Sequence, residues 1–337
     1  MMRCLLILAL GSSFLFGQFT KEGTTAAQFL KLGIGARAMG MGAAYVALSD
    51  DGTAHYWNPA GLAGFSTVGA AFMRHDYVLD IKNDFVSLTI PAGNVGVFGV
   101  ALTLLSMDEK EITTVEQPSG TGQYYRVQDL ALGLSYARQV SDRLRYGLTA
   151  KYISLKAHNE LAQTVAVDIG SVLKTGFYGL SIGMALSNFG GNIRYDGSDL
   201  ISKVDIDDDL EGNVLADARL ATESWPLPMI IRIGIASDVI GPGTALVGSS
   251  FQRLTFALDA IHPNDAPERV HLGAEYALWE AAFLRMGYRF NYDLEELSFG
   301  AGLRLPIPGL SLARIDFAVT PMQLFGNVAR ISIEVRF

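Results

Sequence analysis

Three stretches of this sequence carry residue types at spacings that could do chemistry. Gly33, Gly35 and Ala38 follow the loose G-x-G-x-x-A pattern of a dinucleotide-binding turn. That turn cradles a pyrophosphate only between a strand and a helix, with an acid about 20 residues further on. No β-run precedes Gly33. Gly33, Gly35, Gly40 and Gly42 therefore read as places where the backbone packs closely against the wall of a barrel. Asp205, Asp207, Asp208, Asp209 and Glu211 set carboxylates at calcium-loop spacing, but the sixth position, where such a loop turns on glycine, is Leu210. The reading is a solvated acidic loop, with a loose surface Ca²⁺ site on Asp205, Asp207 and Asp209 as the alternative. Asp259, His262, Glu268, His271 and Glu275 bring imidazoles and carboxylates close in sequence. Their spacing matches no zinc pattern, and a hydrogen-bonded polar network is the better account. Nothing here asks for an enzyme, a metal or a cofactor.

These residues sit on a chain that alternates. Val86, Leu88 and Ile90 share one face, with Ser87 and Thr89 on the other. Ile231, Ile233 and Ile235 alternate with Arg232, Gly234 and Ala236. Val270, Leu272 and Ala274 alternate with His271, Gly273 and Glu275, and Ile315 and Phe317 alternate with Arg314 and Asp316. A period of two is the period of a strand. A water-soluble sandwich would turn the charged face outward, whereas a transmembrane barrel turns the apolar face to lipid and the charged face to its lumen.

Length, turns and the last strand choose between them. Many segments run about ten residues, the length a tilted strand needs to cross a bilayer, against five or six in an ordinary sheet. About fourteen such segments begin near Ser66, Phe85, Val95, Tyr124, Arg143, Gln163, Tyr178, Pro228, Phe251, Arg269, Ala282, Glu296, Ser311 and Val328. One set of connections is mostly short; the other includes the long polar stretches 108–123 and 190–227. The chain closes on ARISIEVRF, with Ile331, Ile333, Val335 and Phe337 on one face. A final strand of this kind ending in Phe337 resembles the C-terminal signal of bacterial outer-membrane proteins. The predicted fold is all-β: a transmembrane antiparallel β-barrel over residues 66–337. Arg232, Asp259, His271, Glu275, Arg289, Arg304, Arg314 and Asp316 then face inward. Buried charges must pair or be hydrated. Their mixed signs predict a network that braces barrel and plug rather than a conduit.

Composition agrees with this reading. Charged residues are 18% of the 337, below the roughly 25% of soluble chains. Half the residues are apolar and the mean hydropathy is +0.26. Past the N-terminus there is no apolar run of about 18 residues, the length a spanning helix needs. Residues 1–17 read as a signal peptide, with Arg3 ahead of an apolar Cys4–Phe16 and a small Gly17 at the cut. The only cysteine leaves with it, so disulfides play no part. A net charge of −8 argues against a nucleic-acid partner. Residues 18–65 remain, rich in glycine and alanine and unable to form a core alone. They read as a hatch inside the barrel, which at about fourteen strands has room for one. Ala27–Leu32 and Met39–Leu48 are expected as short helices, and Arg37, Asp50 and Asp51 as partners of lumen charges.

The stretch FLKLGIGARAMGMGAAYVALSDDGTAHYWNPAGLAG resembles the N-terminal signature of the PorV/PorQ family of outer-membrane proteins. HPNDAPERVHLGAEY, LSFGAGLR and the closing strand resemble it too, as does Tyr288-Arg289-Phe290. The family is similar to the FadL fatty-acid transporters, whose hatch carries an Asn-Pro-Ala signature matched by Asn58, Pro59 and Ala60. The resemblance implies a FadL-like barrel of fourteen strands, a number counted here with that family in view. It implies a hatch marked by Arg37, Gly40, Gly42, Asp50, Asp51, Trp57, Asn58, Pro59 and Gly61. It implies outer-membrane lipid around the barrel and protein partners, either the C-terminal domain of secreted cargo or a translocon subunit of a type IX-like system. The alternative is transport of a hydrophobic small molecule, with a lipid or fatty acid in the lumen.

Overall fold

The computed structural model describes residues 21–205, 216–323 and 325–337. The signal peptide, Asp207 and Asp209 lie outside the described residues. Fourteen strands form the wall: β1 Gly69–Asp76, β2 Lys82–Pro91, β3 Val97–Ser106, β4 Val127–Gln139, β5 Leu144–Ala157, β6 Glu160–Lys174, β7 Ser181–Gly190, β8 Ile230–Gly241, β9 Gln252–Pro263, β10 Arg269–Leu278, β11 Ala282–Phe290, β12 Leu297–Arg304, β13 Leu312–Met322 and β14 Gly326–Arg336. Each pairs antiparallel with its neighbour in sequence. β14 returns to β1, from Gly69 opposite Arg336 to Asp76 opposite Ala329, which closes the barrel. Closure leaves no unpaired edge, the condition for a sheet in hydrocarbon.

The alternation sets the two faces. Val86, Leu88, Ile90, Ile231, Ile233, Phe317 and Ile333 point outward and are exposed, while Ser87, Thr89, Arg232, Asp316 and Glu334 point inward and are buried. An apolar outside around a charged inside is the inverse of a soluble protein and is built for lipid. Both ends of the barrel chain lie at one rim, here the short-turn end. At the other rim two connections are long, 107–126 and 191–229, and each carries its own small ribbon: Lys110–Glu111 with Tyr124–Tyr125, and Ile201–Val204 with Ala216–Arg219. The remaining connections at that rim are short, down to 158–159, so the expected asymmetry rests on two loops.

The core of the molecule is the hatch. Ile34, Ala36, Ala38, Met39, Met41, Tyr45 and Trp57 are buried inside the barrel, against wall residues as small as Ala236, Ala257 and Ala318. Its regular pieces are minimal: α1 Ala36–Gly40, α2 Ala54–Trp57, and 3-10 turns at Gln28–Lys31 and Pro59–Gly64. The helix expected over Met39–Leu48 is instead α1, which begins earlier and stops at Gly40. Beyond it Gly42 and Ala43 take positive φ of 64° and 62° and end the helix, since left-handed backbone cannot extend it. Ala27–Leu32 makes one 3-10 turn rather than an α-helix. One-turn elements like these are not stable alone. Contacts with the wall hold them.

Candidate functional site: the hatch and the polar lumen

The hatch is joined to the wall by charge. Arg37 lies on α1, and its Nε donates to Glu275 Oε2 at 2.9 Å and its Nη2 to Glu275 Oε1 at 3.1 Å. Arg285 Nε also donates to Glu275, at 2.6 Å, and its Nη1 to Asp316 at 2.7 Å. Arg253 Nη2 reaches the same glutamate at 3.1 Å. Arg314 extends the chain to Asp316 at 2.8 Å, to Glu334 at 2.7 Å and to Asp51 of the hatch at 3.1 Å. Buried pairs of this kind tolerate the loss of neither partner. The carboxylate of Asp50 pairs with Arg37 inside the hatch, and its backbone carbonyl accepts from Arg336 at 2.6 Å. So Arg37 and Asp51 pair with lumen charges, whereas the Asp50 carboxylate pairs within the hatch and its backbone is what Arg336 holds.

The other lumen residues divide by height. Asp259 accepts the backbone N–H groups of Tyr45 and Val46 at 2.8 and 2.9 Å, which fixes the turn after α1. His271 lies 3.3 Å from the Ala43 carbonyl and 2.9 Å from the Tyr292 hydroxyl. Arg232 donates to Ser187 at 2.9 Å and lies over the rings of Tyr56 and Trp57. Arg289 pairs with Glu295 at 2.7 Å. Arg304 does not join the network. It stands exposed at the short-turn rim and donates to the Ser311 carbonyl at 2.9 Å.

Asn58 is the neutral counterpart of this lock. It is fully buried. Its amide donates to the carbonyls of Val46 at 2.8 Å and Ser171 at 3.0 Å, and its Oδ1 accepts from Ala60 N at 3.1 Å. One side chain thus joins two hatch segments to β6. Pro59 follows at the first position of the 3-10 turn, where its missing N–H costs nothing. Trp57 Nε1 donates to the Ile34 carbonyl at 2.8 Å.

Shape completes the fit. A Cβ on Gly61 would lie 1.5 Å from the Ser49 carbonyl oxygen, and one on Gly287 would lie 1.9 Å from Gly42 N. Gly40 and Gly42 press against Gly300 and Gly287 of the wall, as expected of them, whereas Gly33 and Gly35 face Met39 and Thr53 within the hatch. Inward glycines at Gly99, Gly147, Gly170, Gly183, Gly234 and Gly273 meet hatch atoms in the same way. Sequence reasoning saw small residues on the polar face and missed this belt; the signal was glycine recurring at inward parity on strand after strand. It also missed His55, whose ring lies 2.8 Å from Ser135 Oγ and 3.2 Å from Thr89 Oγ1. Gly179-Leu180-Ser181-Ile182-Gly183 spells G-x-S-x-G, but Ser181 opens a wall strand and no helix follows it, so the strand–turn–helix elbow is not formed. Among the described residues no group of three or more His, Cys, Asp or Glu could hold a metal.

β6 and β7 pair through a bulge between Val167 and Ile169. Asn188, with φ 61°, donates its N–H there to Asp168 at 2.8 Å and accepts from Lys151 at 2.8 Å. At the start of the hatch, Thr25, Gln28 and Lys31 converge on buried Asp265 in the turn after β9. Burial pushes the Asp265 carboxyl up, but these three donors outweigh it and hold it below the usual carboxylate range.

The family whose description matches the sequence is the type IX secretion system protein PorV, over residues 18–220. The motifs quoted from the last third of the chain fall beyond that match. A comparison with curated proteins returned no match. Solved structures align over 90% of the chain. They include the toluene transporter TbuX of Ralstonia pickettii, at TM-score 0.55, 13% identity and 98% of its own length. The monoaromatic hydrocarbon channel CymD gives 0.57, 13% and 98%. The toluene transporter TodX of P. putida gives 0.55, 12% and 99%. At these identities the likeness is one of fold: a closed, FadL-like barrel.

Proposed function

We propose, from the premise that this chain belongs to the PorV family of type IX secretion proteins, that it is a plugged outer-membrane barrel that binds a protein partner at its long-loop end. Fold and family are those of outer-membrane secretion and transport barrels. The finer reading, a shuttle for the C-terminal domain of secreted cargo or an accessory of the translocon, is carried by the plugged lumen. The hatch is tied into the wall by buried ion pairs and by Asn58, and two cavities between hatch and wall measure only about 30 and 10 Å³. A barrel plugged this tightly does its work at a surface. Its long-loop end offers one: Val115, Tyr124, Tyr125, Ile201, Val204 and Trp225 are exposed on the two long loops, and exposed aromatic and aliphatic groups are what protein interfaces use. The proposed work is binding, not catalysis.

The test is extraction from the native outer membrane in mild detergent, followed by native mass spectrometry. Removal of residues 198–222 leaves the bridge between Ile193 and Trp225 in place. A partner present with the intact chain and lost with this deletion supports the reading. A barrel that carries a stoichiometric apolar molecule and no protein supports the second reading, transport of a hydrophobic small molecule. One observation favours that second reading: an apolar groove of about 330 Å³ on the wall, lined by Tyr146, Ile169, Met184, Leu186, Ile231 and Ile233, beside the bulge in β6 and β7.

A further inference from the structure

The two halves of the lumen differ in how their arginines are balanced. Near the short-turn end Arg37, Arg285 and Arg314 each hold carboxylates at close range. In the long-loop half, no carboxylate of the described residues lies within 4.0 Å of Arg330, Arg232 or Arg269. Arg330 is the extreme case. It is 2% exposed, the bulkiest of the fully buried side chains. Among the described residues its one hydrogen bond is from Nη1 to Thr320 Oγ1 at 3.0 Å, and its Nε has no partner. Burying a guanidinium without a counter-charge is strongly unfavourable.

Its neighbours make the same point without charge. Arg330 stands opposite His75 on β1, and His75 stands opposite Asn83 on β2. Both face inward and are 0% exposed, and among the described residues neither imidazole nitrogen and neither amide atom has a hydrogen-bond partner. Buried polar groups are almost always satisfied, so four unsatisfied atoms beside an unbalanced arginine form a site rather than an accident. Whichever nitrogen of His75 carries the proton, the pair presents N–H donors beside Arg330. Arg330 also feels Arg289, and the acid that acts on it most, Glu295, is held by Arg289 at 2.7 Å. Arg269 and Arg289 lie over the Tyr292 ring, 4.1 and 4.9 Å from its centre. A guanidinium stacked on a ring keeps its in-plane N–H groups for another acceptor.

We propose that Thr320, Arg330, His75 and Asn83, a row across four adjacent strands, bind an oxyanion: a carboxylate, sulfate or phosphate group entering from the long-loop end. The row supplies one fixed positive charge and several N–H donors, which suits an acceptor with two or more oxygens. The site is independent of the secretion and transport readings.

The barrel purified from the outer membrane tests this by calorimetric titration and thermal unfolding. Inorganic phosphate is compared with sodium chloride of equal ionic strength, and decyl phosphate is used below its micellar concentration in a second arm. Saturable binding at one per barrel, with a Tm that rises with phosphate and not with chloride, is expected. Arg330→Gln should abolish the response. Asn83→Leu, which removes no charge, should weaken it about tenfold. It decides the matter if Arg330→Gln does not fold. Binding of inorganic phosphate identifies a free ion as sufficient, and binding of decyl phosphate alone identifies the head group of an amphiphile. The proposal is overturned if neither probe binds, or if Asn83→Leu binds as the wild type does.

Discussion

Glu275→Gln keeps the size of the side chain and removes the charge at which three arginines meet. Arg37 contacts it at 2.9 and 3.1 Å, Arg285 at 2.6 Å and Arg253 at 3.1 Å. At an effective dielectric of about 20 each pair, with charge centres about 4 Å apart, has a Coulomb energy of about 4 kcal/mol, or about 12 for three. Desolvation of the carboxylate offsets most of that, and loss of one partner from a buried cluster costs about 3–5 kcal/mol net. Arg253 and Arg285 belong to the wall and stay whether the hatch is seated or not. Only Arg37 leaves with the hatch. Gln keeps one acceptor oxygen for it, so its share is one hydrogen bond to a charged group, about 2–3 kcal/mol. That fraction sets the opening of the hatch, so amide exchange across residues 36–48 should quicken by about 30- to 150-fold. The assay is hydrogen exchange by mass spectrometry in lipid nanodiscs, with a peptide from β6 as the reference. Arg37→Met in the Glu275→Gln background should recover part of the loss, because it withdraws one stranded cation. A change in residues 36–48 of less than about threefold, or strictly additive variants, would refute the view that this cluster seats the hatch.

Three more outcomes follow from the same geometry. Asn58→Ala strands the Val46 and Ser171 carbonyls and the Ala60 N–H, at about 1–3 kcal/mol for each buried group; it should give current steps in planar bilayers that the parent lacks. Gly287→Val would force a Cβ to within 1.9 Å of Gly42 N and should leave residues 36–48 open to protease, while Gly248→Ala, with nothing within 4 Å, should change nothing. The Asp265 carboxyl is held low in the folded chain, so the anchorage of residues 25–31 is fully present above the unfolded value of about 3.9 and is lost as pH falls below it; a thiol-reactive spin label at Ala26→Cys should become mobile only in acid, and Asp265→Asn should show the same mobility at neutral pH.

The wall was legible because lipid enforces its pattern. Each strand begins within about three residues of its expected start, since a slip of one residue would turn Arg232 or Asp316 into hydrocarbon. Inward placement of Arg314, Glu275 and Asp259 came from the same parity. The hatch was legible as a hatch and illegible in its path. Its glycines allow backbone angles that no period reveals, and the stop after Gly40 depends on Gly42 and Ala43 at positive φ. Pairings were out of reach too. Arg37 meets Glu275 across 238 positions of sequence, and nothing local marks one arginine for one acid. Arg304 shows the limit of parity: it has the inward phase of its strand but stands where the wall ends and water begins.

The chemistry of the lumen explains the composition of the plug. The outer face of each strand must be apolar, as with Ile231, Ile233 and Ile235. Were the inner face apolar as well, every strand would be a continuous β-prone run, the kind that aggregates before it inserts. The inward positions therefore break the run with charge, hydroxyl, glycine or alanine, set between apolar groups such as Met73 and Phe85. A plug for such a lumen cannot be a hydrophobic core throughout: Met39, Met41 and Trp57 pack where the wall is alanine, but a large apolar side chain set against a wall charge would leave that charge unpaired. It must instead bring backbone dipoles and countercharges close, as Tyr45 N and Val46 N do to Asp259 and as Arg37 does to Glu275. Close approach requires glycine and alanine on both sides of the contact, which is what Gly42 against Gly287 provides. The glycine-rich segment and the alternating strands are thus one solution: the wall's outer face dictates its inner face, and the inner face dictates the hatch.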